Sequence, residues 1–153
     1  MDTLIQIVEQ YLHDDGGWTF ERLSDRTVIQ SGIKGKNSAY RMYFQTNEDM
    51  EIVVVYTMMP QNVPEEHRVK VAEYITRANY GLRIGNFEMD MSDGEVRYKV
   101  SVDMEGGTLV HSMINNMVGA SVSTMDRYFP GFMAISYAGK NAEEAVRDIE
   151  GGE

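Results

Sequence analysis

Gly85-Asn86-Phe87-Glu88-Met89-Asp90-Met91-Ser92-Asp93-Gly94-Glu95-Val96-Arg97-Tyr98-Lys99-Val100 is the stretch whose reading decides the fold. Apolar and charged side chains alternate on both sides of Asp93-Gly94, a dipeptide that favours the tight turn of a β-hairpin. With that turn at the tip, Phe87 faces Val100, Met89 faces Tyr98 and Met91 faces Val96, while Glu88 meets Lys99 and Asp90 meets Arg97 on the other face. A slip of one residue would lose this matching.

Upstream, residues 64–80 read as a helix. Pro64 suits its first position, and Glu65 and Glu66 complement the positive end of the helix dipole. Val71, Ile75 and Ala78 make one stripe with Ala72 and Tyr74 beside it, Glu66–Lys70 and Glu73–Arg77 are i,i+4 pairs, and Gly81 ends the helix. Four strands precede it, over residues 18–24, 27–33, 39–45 and 51–58. They are joined near Asp25-Arg26, at Gly35-Lys36-Asn37 and at Asn47-Glu48-Asp49. Ile52-Val53-Val54-Val55-Tyr56 is apolar on both faces, which marks a central strand or one covered by a helix and a partner chain. Residues 2–13 read as an amphipathic helix capped by Asp2, with Leu4, Val8, Tyr11 and Leu12 on one stripe.

Downstream, Gly106-Gly107 breaks the strand and Thr108 is placed to cap a long helix. Between Gly107 and Met125 there is no Asp, Glu, Lys or Arg. Val110, Ile114, Met117, Val118, Ser121, Met125 and Tyr128 follow a helical period, with Leu109, Met113, Val122 and Phe129 widening the stripe. Gly119-Ala120-Ser121 permits close backbone approach, and Pro130-Gly131 is expected to kink or end the helix. The order of helix, four strands, helix, two strands and long helix suits one α+β domain over residues 1–140: a single antiparallel-rich sheet with helices packed mainly on one face. Residues 141–153 are expected to add an acidic C-terminal helix or tail.

Composition bounds the partners. The chain has 153 residues, 24 acidic against 14 basic, and a formal net charge of −10. A field of that sign opposes binding to nucleic acid and to anionic lipid. No stretch of roughly 20 apolar residues is present to span a membrane. Met1-Asp2-Thr3-Leu4 lacks the basic flank and apolar run of a signal peptide, so the expected location is cytoplasmic. With no cysteine, disulfides, thiolate metal sites and cysteine nucleophiles are excluded. The 12 methionines suit both core filling and an adaptable binding surface.

Motifs for chemistry fail on spacing. Gly32-Ile33-Lys34-Gly35-Lys36-Asn37-Ser38 has two residues between its glycines where a phosphate loop has four, and it joins strand to strand. Asp90-Met91-Ser92-Asp93-Gly94 would put Met89 and Val100 at the first and last ligand positions of a calcium loop. His13, His67 and His111 stand in separate elements, without the i,i+4 spacing of a helical zinc site. Glu88 and Asp90 are explained by the basic residues opposite them. No cofactor is expected.

Several pieces carry a family resemblance. They are Asn79-Tyr80, Gly85-Asn86-Phe87-Glu88-Met89-Asp90, Asp93-Gly94-Glu95-Val96-Arg97-Tyr98 and Asp126-Arg127-Tyr128-Phe129-Pro130, with the Trp18 strand and Val63-Pro64-Glu65-Glu66 as further points. Over roughly residues 15 to 138 the sequence resembles the YbjN family, bacterial proteins described as sensory transduction regulators. The resemblance implies a fold similar to type III secretion chaperones, small acidic homodimers that hold extended segments of a partner. It implies no catalytic residue.

The sequence therefore reads as a non-enzymatic protein-binding module, chaperone-like or regulatory, with a protein or peptide partner and a homodimeric state. It would bind through a sheet edge or an apolar groove beside a helix. Candidate contacts are Ile52, Val54, Tyr56 and Tyr80. The alternative is a small-molecule sensor or an enzyme with an aromatic and polar pocket lined by Tyr40, Tyr43, Tyr56, Asn79, Tyr80 and Arg97.

Overall fold

Parity along the strands sets the layers. In β4 (Ile52–Met58), Val53, Val55 and Thr57 are buried while Ile52, Val54, Tyr56 and Met58 are only partly covered. The same alternation buries Tyr40, Met42, Phe44 and Thr46 in β3 (Ala39–Asn47) and Val96, Tyr98 and Val100 in β6 (Val96–Asp103). The computed structural model describes residues 1–23 and 27–151. Among them, six strands form one antiparallel sheet in the order β1-β2-β3-β4-β6-β5, with β1 at Glu21–Arg22, β2 at Val28–Lys34 and β5 at Asn86–Met89. The doubly apolar strand is central, as one of its two readings required. The turn expected at Asp25-Arg26 lies outside the described residues, and the strand expected over 18–24 is reduced to Glu21–Arg22.

All the helices described cover one face. Helix α1 (Leu4–Asp15) packs Ile5, Val8, Tyr11 and Leu12 against Ile29, Met42, Phe44, Val53 and Val55. After a 3-10 turn at Glu65–His67, α2 (Arg68–Tyr80) places Val71, Tyr74, Ile75 and Ala78 over Phe87, Val96 and Tyr98. Helix α3 (His111–Tyr137) crosses both clusters, and α4 (Ala142–Glu150) buries Ala142 and Ala145 against it. The architecture is thus α+β, one antiparallel sheet with flanking helices. Among the described residues no helix is long and apolar enough to cross a membrane.

The cap of α1 is Thr3 rather than Asp2. Its side chain and that of Gln6 exchange bonds with each other's backbone N–H. Glu48 adds a cap from the β3–β4 turn, its carboxylate accepting from Leu4 N at 2.8 Å and Ile5 N at 3.3 Å.

The hairpin forms, but two residues out of the expected register. Phe87 faces Tyr98, Met89 faces Val96 and Glu88 faces Arg97. A shift of two keeps every side chain on its face, so alternation could not distinguish the two registers. The loop decides: Asp90 Oδ1 accepts from Ser92 N and Ser92 Oγ, and Gly94 N donates to Asp90 O at 2.8 Å. The connection is therefore wider than the two-residue turn. Met91 leaves the core and stands 51 % exposed. Gly94 has φ +81°, and a Cβ there would collide with the Val63 carbonyl oxygen, so the docked loop requires glycine.

Helix α3 begins three residues beyond the expected cap Thr108, with Val110 at the N-cap position. It also runs through Pro130 instead of ending there. An interior proline withdraws the N–H that the carbonyl four residues back would accept. Here that carbonyl is Asp126's, and Asn37 Nδ2 donates to it at 2.8 Å. The Asp126 carboxylate accepts in turn from Lys36 N at 2.8 Å, Asn37 N at 2.9 Å and Tyr40 Oη at 2.7 Å. The turn that superficially matched a phosphate loop does cradle an anion, and the anion is the chain's own side chain. Burial would raise the Asp126 pKa, but the bonds from Tyr40 and from backbone N–H groups of Asn37, Lys36 and Ser38 outweigh it and hold the carboxyl below its ordinary value. Gly131 follows because Tyr74 lies against it: a Cβ would overlap the Tyr74 hydroxyl, which donates to Tyr128 O at 2.8 Å. Close approach of α3 to the sheet occurs at Ser121, whose hydroxyl shares a bond with Thr57, while Gly119 faces open space.

Candidate functional site

The helices occupy one face of the sheet, so the candidate site is the other. Its composition follows from register. Gly32, Arg41, Met58, Arg97 and Glu88 stand side by side across β2, β3, β4, β6 and β5. The next outward row is Gln30, Tyr43, Tyr56, Lys99 and Asn86, followed by Val28, Gln45, Val54 and Ser101. Ile52, Val54, Tyr56 and Met58 form a half-buried apolar line along β4, bordered by Tyr43.

Basic residues are concentrated here relative to the whole chain. Arg97 Nε and Lys99 Nζ both reach the Glu88 carboxylate, at 2.5 and 3.0 Å. Burial would raise the Glu88 pKa, and the bonds from Lys99 and Arg97 more than offset that and lower it. The Arg97 guanidinium lies over the Tyr56 ring at 4.3 Å from its centroid, which orients both side chains. Beyond them a groove of about 590 Å³ opens between Lys34, Arg41, Tyr43, Met58, Pro60, Asn62 and Glu95. It exists because Gly32 and Ala39, which face into it, carry little or no side chain.

The candidate contacts divide. Ile52, Val54 and Tyr56 lie in one line on the open face, whereas Tyr80 stands at the end of α2 in the helical layer, 96 % exposed. Of the six residues of the expected pocket, Tyr40 and Tyr43 line the groove and Tyr56 and Arg97 stand beside it, whereas Asn79 and Tyr80 belong to α2. Tyr43, Tyr56 and Arg97 point outward, and Tyr40 points inward to Asp126. Its hydroxyl pKa is raised by burial and by that carboxylate. Asn79 turns to β5, accepting from Phe87 N at 2.8 Å and donating to Phe87 O at 3.0 Å. Its amide thereby occupies the backbone groups of an edge strand and blocks strand addition there. The apolar stripes of α2 and α3 face the core, so neither offers a groove beside a helix. The first half of α3 exposes His111, Ser112, Asn115, Asn116, Gly119 and Ser123, and its second half Arg127, Pro130 and Tyr137.

Sequence reasoning missed Lys34, Arg41 and Met58 as members of the site. The signal was present: in Ala39 to Asn47 the inward set Tyr40, Met42, Phe44 and Thr46 leaves Arg41, Tyr43 and Gln45 outward. Five of the 12 methionines, Met42, Met59, Met104, Met117 and Met125, are buried, Met89, Met113 and Met133 pack against the core partly buried, and Met58 lies on the open face. Among the described residues, no group of three or more His, Asp and Glu residues is placed to hold a metal ion.

The model of the YbjN family, described as "Putative bacterial sensory transduction regulator", matches residues 5–134. No curated protein matches the sequence. Among solved structures, the crystal structure of "YbjN, a putative transcription regulator from E. coli" is similar with a TM-score of 0.60 and 13 % identity, over 90 % of this chain and 94 % of that chain. The HopA1-SchA chaperone-effector complex matches with a TM-score of 0.48 and 11 % identity, over 78 % of this chain and 88 % of that chain. The first likeness shows the shared fold; the second is too low to argue from.

Proposed function

The chain belongs to the YbjN family, and from that premise we propose that it is a non-enzymatic protein-binding module, regulatory or chaperone-like, which holds a segment of a partner protein against the open face of its sheet. The observation that carries this reading is the apolar line Ile52, Val54, Tyr56 and Met58 at the middle of the sheet, with every described helix packed on the opposite side. Apolar surface at the centre of a sheet is ordinarily covered, and where it is left open it marks interaction. The adjoining groove is open to solvent, a shape that admits a chain laid across it. Ile52, Val54 and Tyr56 are the proposed contacts, and Tyr80 falls outside the proposed face. The proposal carries with it a homodimer and a cytoplasmic location as its setting. A solution mass of a single chain would remove the first.

Site-directed photocrosslinking in the native host tests it. A benzophenone amino acid at position 54 or 45 should give adducts with another protein. The same residue at position 116 or 123, on the exposed side of α3, should give few or none. Adducts confined to the α3 positions, or absent from both faces, would overturn the proposal.

A further inference from the structure

We infer that the segment held on the open face is acidic: an extended stretch of a partner protein whose carboxylates fall over Lys34 and Arg41 and whose apolar side chains lie on Val54 and Tyr56. The inference rests on the proposed function and names the chemistry of its partner.

Charge complementarity carries it. The open face collects Lys34, Arg41, Arg97 and Lys99 at one end of the apolar line, against Glu88, Asp90 and Glu95. Four of the chain's 14 basic residues are therefore gathered with three of its 24 acids, on a molecule of net charge −10. Glu21 stands at the β1 edge beside Gln30, and Asp103 at the far end of β6. Glu88 is already shared by Arg97 and Lys99. Lys34 and Arg41 enter no ion pair among the described residues, and their cross-strand neighbours are Ala39 for Lys34 and Gly32 and Met58 for Arg41. Two cations over a groove with only Glu95 among its lining acids supply donors for incoming carboxylates, and arginine presents a fork matched to them. The apolar line continues the groove along β4, so a strand-like occupant with alternating side chains can meet both features at once.

The sign of this inference runs against the chain as a whole. Net charge alone favours a basic partner, so selection for acid can come only from the local face. A test uses two labelled twelve-residue peptides with the same valine and tyrosine positions. One carries Glu and the other Lys at the alternate positions, and binding is read by fluorescence anisotropy. The Glu peptide should bind and the Lys peptide should not. Lys34→Glu and Arg41→Glu should each weaken the Glu peptide by about three- to tenfold with the thermal midpoint unchanged, since neither side chain has an ion-pair partner to lose. Val54→Glu should weaken it as well.

Equal or tighter binding of the Lys peptide, lost in Val54→Glu, would overturn the acidic assignment while leaving the face as a docking surface. Glu-peptide binding indifferent to Lys34→Glu and Arg41→Glu would overturn the assignment to this groove. Failure of both peptides to bind at millimolar concentration would overturn the inference, and the crosslinking comparison then judges the proposed function by itself. A dimer that dissociates on Val54→Glu would overturn it too, by placing a second copy on the face instead.

Discussion

Asp126 ties α3 to the β2–β3 turn through its carboxylate and its backbone carbonyl, and the consequences are local and measurable. Asp126→Asn keeps the shape but halves the acceptor capacity facing Lys36 N, Asn37 N and Tyr40 Oη. Water reaches part of the site and screens the charge, so the expected loss in urea unfolding at pH 7 is about 1–2 kcal/mol. A carboxyl held below its ordinary value stabilises the fold above the unfolded pKa of about 3.9 and loses that contribution as pH falls through the folded pKa. The gap between Asp126→Asn and the parent should therefore be constant from about pH 6 to 8 and close below about pH 4. A gap independent of pH down to about 3 would contradict the assignment. Gly131→Ala drives a methyl into Tyr74 Oη and should cost about 2–4 kcal/mol by the same measurement. Neither role is legible in the sequence. Asp126 and Pro130 share one short motif, but the reason they belong together is a freed carbonyl and a side chain 89 residues away in sequence.

At the scale of elements, faces are legible and registers are not. Alternation places Phe87, Met89, Val96 and Tyr98 on one side correctly, because the two-residue period is local. It cannot choose between registers two apart, because that choice lies in the Asp90 side chain and in Gly94 docking on Val63. The proline misleads for a related reason: its cost in a helix is intrinsic, whereas its remedy, Asn37, comes from another element. A double-mutant cycle separates the two. Asn37→Ala should cost about 1 kcal/mol or more beside Pro130 and markedly less in a Pro130→Ala background, where a restored backbone N–H at that position returns to the Asp126 carbonyl. Equal costs in both backgrounds would show that the two residues are not coupled. The β5 edge makes a similar case. Asn79→Ala removes the acceptor of the Phe87 N–H and one of the two amide donors to its carbonyl, Asn86 Nδ2 being the other, so the Phe87 amide should exchange at least about tenfold faster, with a stability loss of about 1–3 kcal/mol. Unchanged exchange would mean that another group protects the strand.

Across the whole molecule, charge and cover divide the protein into two sides. Most of the acidic excess lies outside the groove, while the open face keeps an apolar line with Lys34 and Arg41 beside a groove whose one lining acid is Glu95. The architecture is legible in the order of elements and in the doubly apolar stretch 52–56. The open face is only half legible: Ile52, Val54 and Tyr56 stand out as candidate contacts, but a strand apolar on both sides does not say which face the helices take. That becomes clear only when the inward sets of β3, β4 and β6 align. Tyr80, the fourth candidate contact, stands apart from the other three at the end of α2 in the helical layer. Substitutions on the open face should also behave unlike those in the core. Val54→Thr should change stability by less than about 1 kcal/mol, whereas Val53→Thr, on the buried side, should cost about 1–3 kcal/mol in thermal unfolding.

The most direct test of the open face as the docking surface is a map of backbone amide chemical shifts while the Glu-bearing peptide is titrated into the full chain. Shifts concentrated at Arg41, Tyr43, Val54, Tyr56, Met58 and Lys99, with Asn115, Asn116 and Ser123 unmoved, are the predicted result. Shifts concentrated on the exposed side of α3, or around Tyr80 and Tyr137, would contradict it and move the partner to the helical layer.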